Sequence, residues 1–196
     1  MTKQQIIELQ KRIGTEPDGF WGRNSIDACK KHLTNLMPKP HPFPIQAEEE
    51  VTAYFGPHGV NGGYTPPTKR ITLPFTIYYD GSPVRTLSPH EKCADSLLAV
   101  FERLAVAFPT KAARDAAGIS VYNGIYNPRK MRGGDAWSMH AWAIAIDLDA
   151  GRNGNKTHWP TKATMPLEVM ECFVQEGWMP AGAFWGRDAM HFQATQ

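Results

Sequence analysis

Cysteine is scarce in this chain, with three in 196 residues. Cys29, Cys93 and Cys172 lie far apart and form no CxxC pair, which argues against both a disulfide framework and a thiolate zinc site. They are expected to be small buried apolar residues. Excess charge is missing too. Lys and Arg number 21 against 19 Asp and Glu, a net charge of +2, too mild to predict nucleic-acid binding yet no obstacle to contact with an anionic wall polymer. No run approaches the roughly 18 apolar residues of a membrane span. The amino terminus, MTKQQIIELQKR, has no apolar core of a secretion signal, so the chain is expected to be made in the cytoplasm and to reach any wall target by other means. There are no internal repeats, no low-complexity segments and no G-x-S-x-G nucleophile turn. What is present, 42% hydrophobic and 20% charged residues, suits one globular domain with a small appendage, expected to be a monomer.

Residues 1–37 read as two short helices around the glycine-rich turn GTEPDGFWG, with Ile6, Leu9 and Ile13 on one face and Ile26, Cys29, Leu33 and Leu36 on the other. Four prolines in residues 37–44 mark a stiff linker over 38–50, leaving 51–196 as the main domain. Residues 51–70 look irregular, and RITLPFTIYYDGSPV predicts a strand and turn. LSPHEKCADSLLAVFERLAVAF predicts the best helix, with Ser88 as N-cap, Pro89 at the first position and Glu91 closing a capping box. Strands are expected at 118–126, within AWAIAIDLD and at AMHFQA, and a helix at 166–176 stopping at Gly177. Few helices with several short strands imply an α+β fold, a small antiparallel sheet with flanking helices preceded by a short helical module.

The chemistry concentrates in SMHAWAIAIDLD, residues 138–149. Read as a strand, it points Ile144, Ile146 and Leu148 into the core and Ala143, Ala145, Asp147 and Asp149 the other way. The small alanines leave room over Asp147. His140 has the wrong parity for that face and must enter from a preceding turn. A core strand with a backbone-bonded histidine explains this stretch alone. WGRDAMHFQ adds Asp188 three residues before His191. His140, Asp147 and His191 then supply two nitrogens and one oxygen, the protein ligands of a catalytic zinc with bond lengths of about 2.0–2.2 Å. Asp188 is placed to move a proton from an attacking water. His158 is an outside candidate ligand in an exposed loop. His32, His41, His58 and His90 are expected at the surface, and Asp149 is a candidate for support of the ligands.

The pattern S-x-H-x6-D with a late D-x-x-H resembles the zinc D-Ala-D-Ala carboxypeptidase and L-alanyl-D-glutamate endopeptidase family, which includes vancomycin-resistance carboxypeptidases and many phage endolysins. That family shares its fold with the Hedgehog signalling domain. The resemblance covers roughly residues 70–196, through YNPRKMRGGDAWSMHAWAIAID and WGRDAMHF. It implies zinc on His140, Asp147 and His191, Asp188 as acid/base, and an upstream arginine, Arg129 or Arg132, stabilising the oxyanion, with Arg129 favoured. Ser138, Trp142 and Trp185 flank these motifs as candidate substrate contacts, and Trp137 as a packing residue. The family has glycine where this chain has Ala143. The amino-terminal LQKRIGTEPDGFWGRNSIDACKKHL is similar to peptidoglycan-binding helical modules, although shorter. Together these features imply a peptidoglycan peptidase of the phage-endolysin type, made in the host cytoplasm, released by a holin-type partner and active in the periplasm or wall. The alternatives are a catalytically silent wall-binding protein of the same fold, or a glycosidase pairing Asp188 with Glu91 or Glu102.

Overall fold

In the computed structural model, which describes residues 1–196, the chain opens on a capping box. The Thr2 hydroxyl accepts from the Gln5 N–H and the Gln5 side chain accepts from the Thr2 N–H, starting α1 (Lys3–Ile13). The loop to α2 (Arg23–Leu36) is organised by buried Gln10. Its amide nitrogen donates to the Asp18 carboxylate (2.8 Å), the Phe20 carbonyl (3.0 Å) and the Ser25 hydroxyl (3.0 Å), and its oxygen accepts from the Gly19 N–H (2.8 Å). The polar residues of the L-Q…D-G…S pattern therefore build the loop. What the loop presents outward is Phe20, 72% exposed, and half-buried Trp21.

Leu9 and Ile13 of α1 and Cys29 and Leu33 of α2 are buried in the same hydrophobic cluster as the rest of the chain. Arg12 and His32 both reach buried Glu171. The Arg12 Nε donates to Oε1 at 3.0 Å, its second nitrogen bonds Oε2, and the His32 Nε2 lies 2.7 Å from Oε1. The proline-rich segment is strapped along the body: Phe43 is buried against Phe55 and Trp178, and the Gln196 N–H donates to the Pro44 carbonyl. The three buried cysteines are free, as expected.

A short helix, α3 (Glu48–Phe55), stands at the start of the stretch expected to be irregular. Three glutamates in its first turn complement the helix dipole, and Val51 and Phe55 bury its inner face. β1 (Ile71–Tyr79) and β2 (Ser82–Leu87) pair as an antiparallel hairpin around Asp80-Gly81, both at positive φ, as a primed two-residue turn requires. Alternate residues Ile71, Leu73, Phe75 and Ile77 are buried, and β1 packs on α4 (Glu91–Ala107). α4 buries Ala94, Leu97, Val100, Phe101 and Leu104 along one side, but its cap is not the expected Ser88. His90 is the N-cap, with Nδ1 accepting from the Lys92 N–H (3.1 Å) and Nε2–H donating to the Phe55 carbonyl (2.8 Å). Expected at the surface, His90 is fully buried, because both ring nitrogens are satisfied internally.

After α5 (Lys111–Ala117) come β3 (Tyr122–Gly124), β4 (Ala145–Leu148), α6 (Ala150–Asn153), α7 (Leu167–Val174), β5 (Met179–Pro180), α8 (Ala181–Trp185) and β6 (His191–Gln193). The last four strands form an antiparallel sheet in the order β3-β4-β6-β5; α7 packs on β5, and α4 and α2 pack on α7. The fold is α+β, small antiparallel sheets flanked by helices, as the sequence implied. Its strands are shorter than expected: 118–126 contributes only 122–124, and 141–149 only 145–148.

Candidate metal centre

Register brings the first two site residues together. β4 and β6 pair with Asp147 opposite His191, Ile146 opposite Phe192 and Ala145 opposite Gln193. Directly opposed residues have Cβ atoms about 4.5–5.5 Å apart, so the two side chains meet on one face. The other face, Ile146 with Phe192, is fully buried. The His191 Nδ1 lies 3.0 Å from the Asp147 Oδ1.

His140 arrives from a different element. Residues Met139–Trp142 form a 3₁₀ turn, and Ala143 reverses the chain into β4 at φ 59, in the left-handed region. The parity conflict of a continuous strand is resolved this way, since the histidine comes from the turn. Every carbonyl of the turn's central residues is held from outside or across it. His140 O accepts from the Asn127 N–H (3.0 Å), Ala141 O from Gly59 (2.7 Å), and Ala143 O from His90 (2.9 Å). The indole of Trp142 donates to the Gly56 carbonyl (2.9 Å). Residues 56–59, part of the stretch that looks irregular in the sequence, thus fasten the histidine's platform.

The Ala143 conformation also accounts for the family's glycine. A left-handed residue costs roughly 1–2 kcal/mol with a Cβ and nothing with glycine. Alanine pays this and fits, with no exposed surface. A β-branched residue does not. Ala143→Val is expected to destabilise the fold by about 2–4 kcal/mol, from backbone strain plus overpacking, which urea denaturation measures.

The three ligand atoms form a nearly equilateral triangle. The His140 Nε2 is 3.3 Å from the Asp147 Oδ1 and 3.3 Å from the His191 Nδ1, closing with the 3.0 Å edge above. A tetrahedral ion with bonds of about 2.0–2.1 Å has ligand–ligand edges of about 3.3 Å. The donor set therefore fits a metal without rearrangement. The tautomers fit as well. The His140 Nδ1–H donates to the Ile125 carbonyl (2.7 Å), which can only accept, so Nε2 carries the lone pair. The His191 Nε2–H donates to the Gln193 Oε1 (3.0 Å), and the Gln193 amide nitrogen donates to the Thr195 hydroxyl (2.5 Å). That leaves Nδ1 of His191 facing inward. Gln193, fully buried, was not singled out from the sequence. Its signal was parity: it shares His191's face, two residues on, opposite small Ala145.

Asp188 sits in the D-x-x-H turn at φ 61, closed by the His191 N–H donating to the Asp188 carbonyl (2.9 Å). Its Oδ1 is buried with no hydrogen-bond partner. Burial pushes this carboxyl above the usual range, and the charge of Asp147 adds to that against the opposing pull of His191. For Asp147 burial acts the same way, but without a metal, when the imidazoles carry a proton on the nitrogens facing it, the hydrogen bonds and charges of His140 and His191 outweigh burial and hold its carboxyl well below the usual range. Burial would lower His191, yet its bond to Asp147 leaves it raised. Two carboxylates in one cleft, one kept ionised and one pushed towards protonation, are an arrangement suited to acid–base work.

These groups line a cleft of about 680 Å³. Arg129, half-buried, and Arg132, exposed on the loop tip, both line it, as do Ser138 and Trp185. Ser138 is buried, and its N–H donates to the Arg129 carbonyl (3.1 Å), tying that arginine to the His140 turn. Trp185 stacks on His191 with ring centroids 5.6 Å apart and is 41% exposed. Trp142, by contrast, lies wholly in the core and faces no cleft. Asp149 does not join the site either. The strand ends there at φ 53, and its carboxylate accepts from Arg152 (2.5 Å) and Asn153 (3.1 Å). His158 is exposed, as expected, while His58 is half-buried and stacked on Trp137. Glu91 and Glu102 lie on exposed positions of α4, and the only carboxylates lining the cleft are Asp147 and Asp188. No second carboxylate is free to pair with Asp188 as a glycosidase requires.

Residues 132–194, less than half of the chain, match a family model described as D-alanyl-D-alanine carboxypeptidase. The matched stretch contains His140, Asp147, Asp188 and His191. No curated protein and no solved structure matches the chain.

Proposed function

We propose that this protein is a zinc peptidase that hydrolyses a peptide bond of the peptidoglycan stem peptide or cross-link. The observation that carries the reading is the His140–Asp147–His191 triangle, set at metal-ligand spacing, with Asp188 and its unpartnered oxygen lining the same cleft. The family match over the same residues supports the substrate class. Zinc, when bound there, supplies a Lewis acid that lowers the pKa of water towards about 7 and polarises a carbonyl. The chain's own residues do the rest. His140 and His191 present fixed lone pairs, held by Ile125 and Gln193. Asp188 takes the proton of the attacking water and passes it to the leaving amine. Arg129, anchored through Ser138 at the cleft wall, stabilises the oxyanion, with Arg132 as the second candidate. Trp185 borders the substrate path. In the cell the reading is of a lytic enzyme of the phage-endolysin kind, made in the host cytoplasm and passed to the wall through a holin-type partner, with residues 1–37 contacting the wall.

Purified protein loaded with zinc is expected to release free amino groups, and no reducing sugar, from peptidoglycan. A chelator should stop the release and zinc should restore it. Chelator-resistant activity, or reducing-sugar release, overturns the reading. Mass spectrometry of the released fragments identifies the bond.

A further inference from the structure

A second cavity of about 280 Å³ lies where the α1–α2 loop meets residues 158–161 and α8. It has room for a single pyranose. Its walls are Trp21, Trp159 and Trp185, with Trp21 set edge-to-face on Trp159 at 5.4 Å, and its rim carries the exposed polar side chains of His158 and Thr161. Trp159 gives its indole N–H to the Met165 carbonyl (2.8 Å), and neither Trp21 nor Trp185 donates its own within the protein. Aromatic faces ringed by polar groups match a sugar, which has an apolar C–H face and a hydroxyl edge. Trp185 is the wall common to this cavity and the metal cleft. The aromatic loop that supplies Trp21 is the one Gln10 builds from internally bonded polar residues, so its outward product is this wall.

The geometry points to a subsite for an N-acetylated pyranose of peptidoglycan, the muramyl residue that carries the stem peptide. This rests on the peptidase reading above and deepens it. A sugar seated here is one tryptophan side chain from His191. An extended peptide advances roughly 3.3–3.6 Å per residue, and the two cavities share the Trp185 wall, so a peptide leaving the sugar enters the metal cleft within its first few residues. The bond presented for hydrolysis is then close to the glycan, not at a distant cross-link. The amino-terminal helices serve as one wall of the substrate site.

Two measurements on the full chain test this. In the first, N-acetylmuramic acid at millimolar concentration is added to metal-free protein and the indole N–H resonances are followed. The Trp21 and Trp185 signals should shift, and Thr161→Arg, which fills the rim without touching the packed core, should suppress the shift. In the second, zinc-loaded enzyme is given one stem peptide free and attached to muramic acid. The attached form should have a kcat/KM about tenfold higher or more, equivalent to one good stacking contact, and both Trp21→Ala and Thr161→Arg should erase that preference. Unshifted indole signals, or equal turnover of the two substrates by the parent enzyme, overturn the subsite. If neither substrate is cleaved, the peptidase reading has failed, and the sugar titration still decides whether the pocket binds a pyranose.

Discussion

Asp188→Asn lowers kcat by about 10²–10⁴-fold, the usual contribution of a positioned proton carrier, while zinc stays bound. Asp188 is not one of the three ligand-triangle residues, so its carboxylate can be removed without touching the metal's donors. Asparagine is the right replacement because the residue sits at φ 61, where asparagine is tolerated far better than alanine. The same substitution should make the metal-free protein more stable at neutral pH. The sign follows from the raised folded-state value of Asp188. An acid whose folded pKa exceeds its unfolded one holds extra protons when folded. Its contribution is favourable below the unfolded value and is lost as pH rises through the folded one. At pH 7 the ionised carboxylate is therefore a cost, and asparagine removes its charge while keeping a polar atom in the same place. About 1 kcal/mol is expected, small because that atom stays unpartnered, or a Tm rise of roughly 2–4 °C for a chain of this size. Calorimetry of the metal-free variant at pH 7 measures the gain, and at pH 4 the gain should shrink. An Asp188→Asn protein that keeps full turnover removes Asp188 from the mechanism. One that loses its zinc makes Asp188 a ligand.

The parts of the site that were legible in the sequence are those whose spacing carries chemistry. His140, Asp147, Asp188 and His191 could be named because histidines are few, seven in the chain, and the intervals from two of them to aspartates match a known ligand pattern. Alternation identified the buried Ile144, Ile146 and Leu148. What was not legible depends on contacts between distant segments. Periodicity runs straight through Ala143 and cannot show that the backbone turns left-handed there, so alternation predicts too long a strand, and a place beside the motif does not reveal that Trp142 is core. Asp149 shares Asp147's parity on paper but follows the strand's end, where α6 takes its carboxylate. His90 reads as a turn residue until Phe55 and Lys92 are seen to use both its nitrogens. Proline content marks residues 38–50 as stiff, yet composition is silent on Phe43 docking between Phe55 and Trp178. The pattern of the amino-terminal loop was visible, but not that Gln10 and Ser25 are buried to hold it together while Phe20 is left exposed.

His191→Ala and Gln193→Leu form a graded pair that tests the centre from the ligand outward. Removing His191 deletes one of three donors and leaves half-buried Asp147 with a single imidazole partner. Zinc affinity should fall by well over 100-fold, beyond what loss of an outer partner costs, and turnover should vanish with it. Gln193→Leu keeps all three donors and a similar side-chain volume but removes the acceptor for the His191 Nε2–H. The imidazole is then free to place its proton on Nδ1, the atom that faces Asp147 and His140. Each zinc-binding event must reverse that choice, so affinity should drop about 10–100-fold. The orphaned N–H should cost the fold about 1–3 kcal/mol. Gln193→Glu restores an acceptor, and a charged one, so it should recover parental affinity or exceed it. Competition with a chromophoric chelator reads all three variants on one scale, and circular dichroism confirms that each is folded. Gln193→Leu binding zinc as tightly as the parent removes Gln193 from the centre. A His191→Ala variant that does the same moves the metal elsewhere, because the triangle has no other nitrogen to offer on the β6 side.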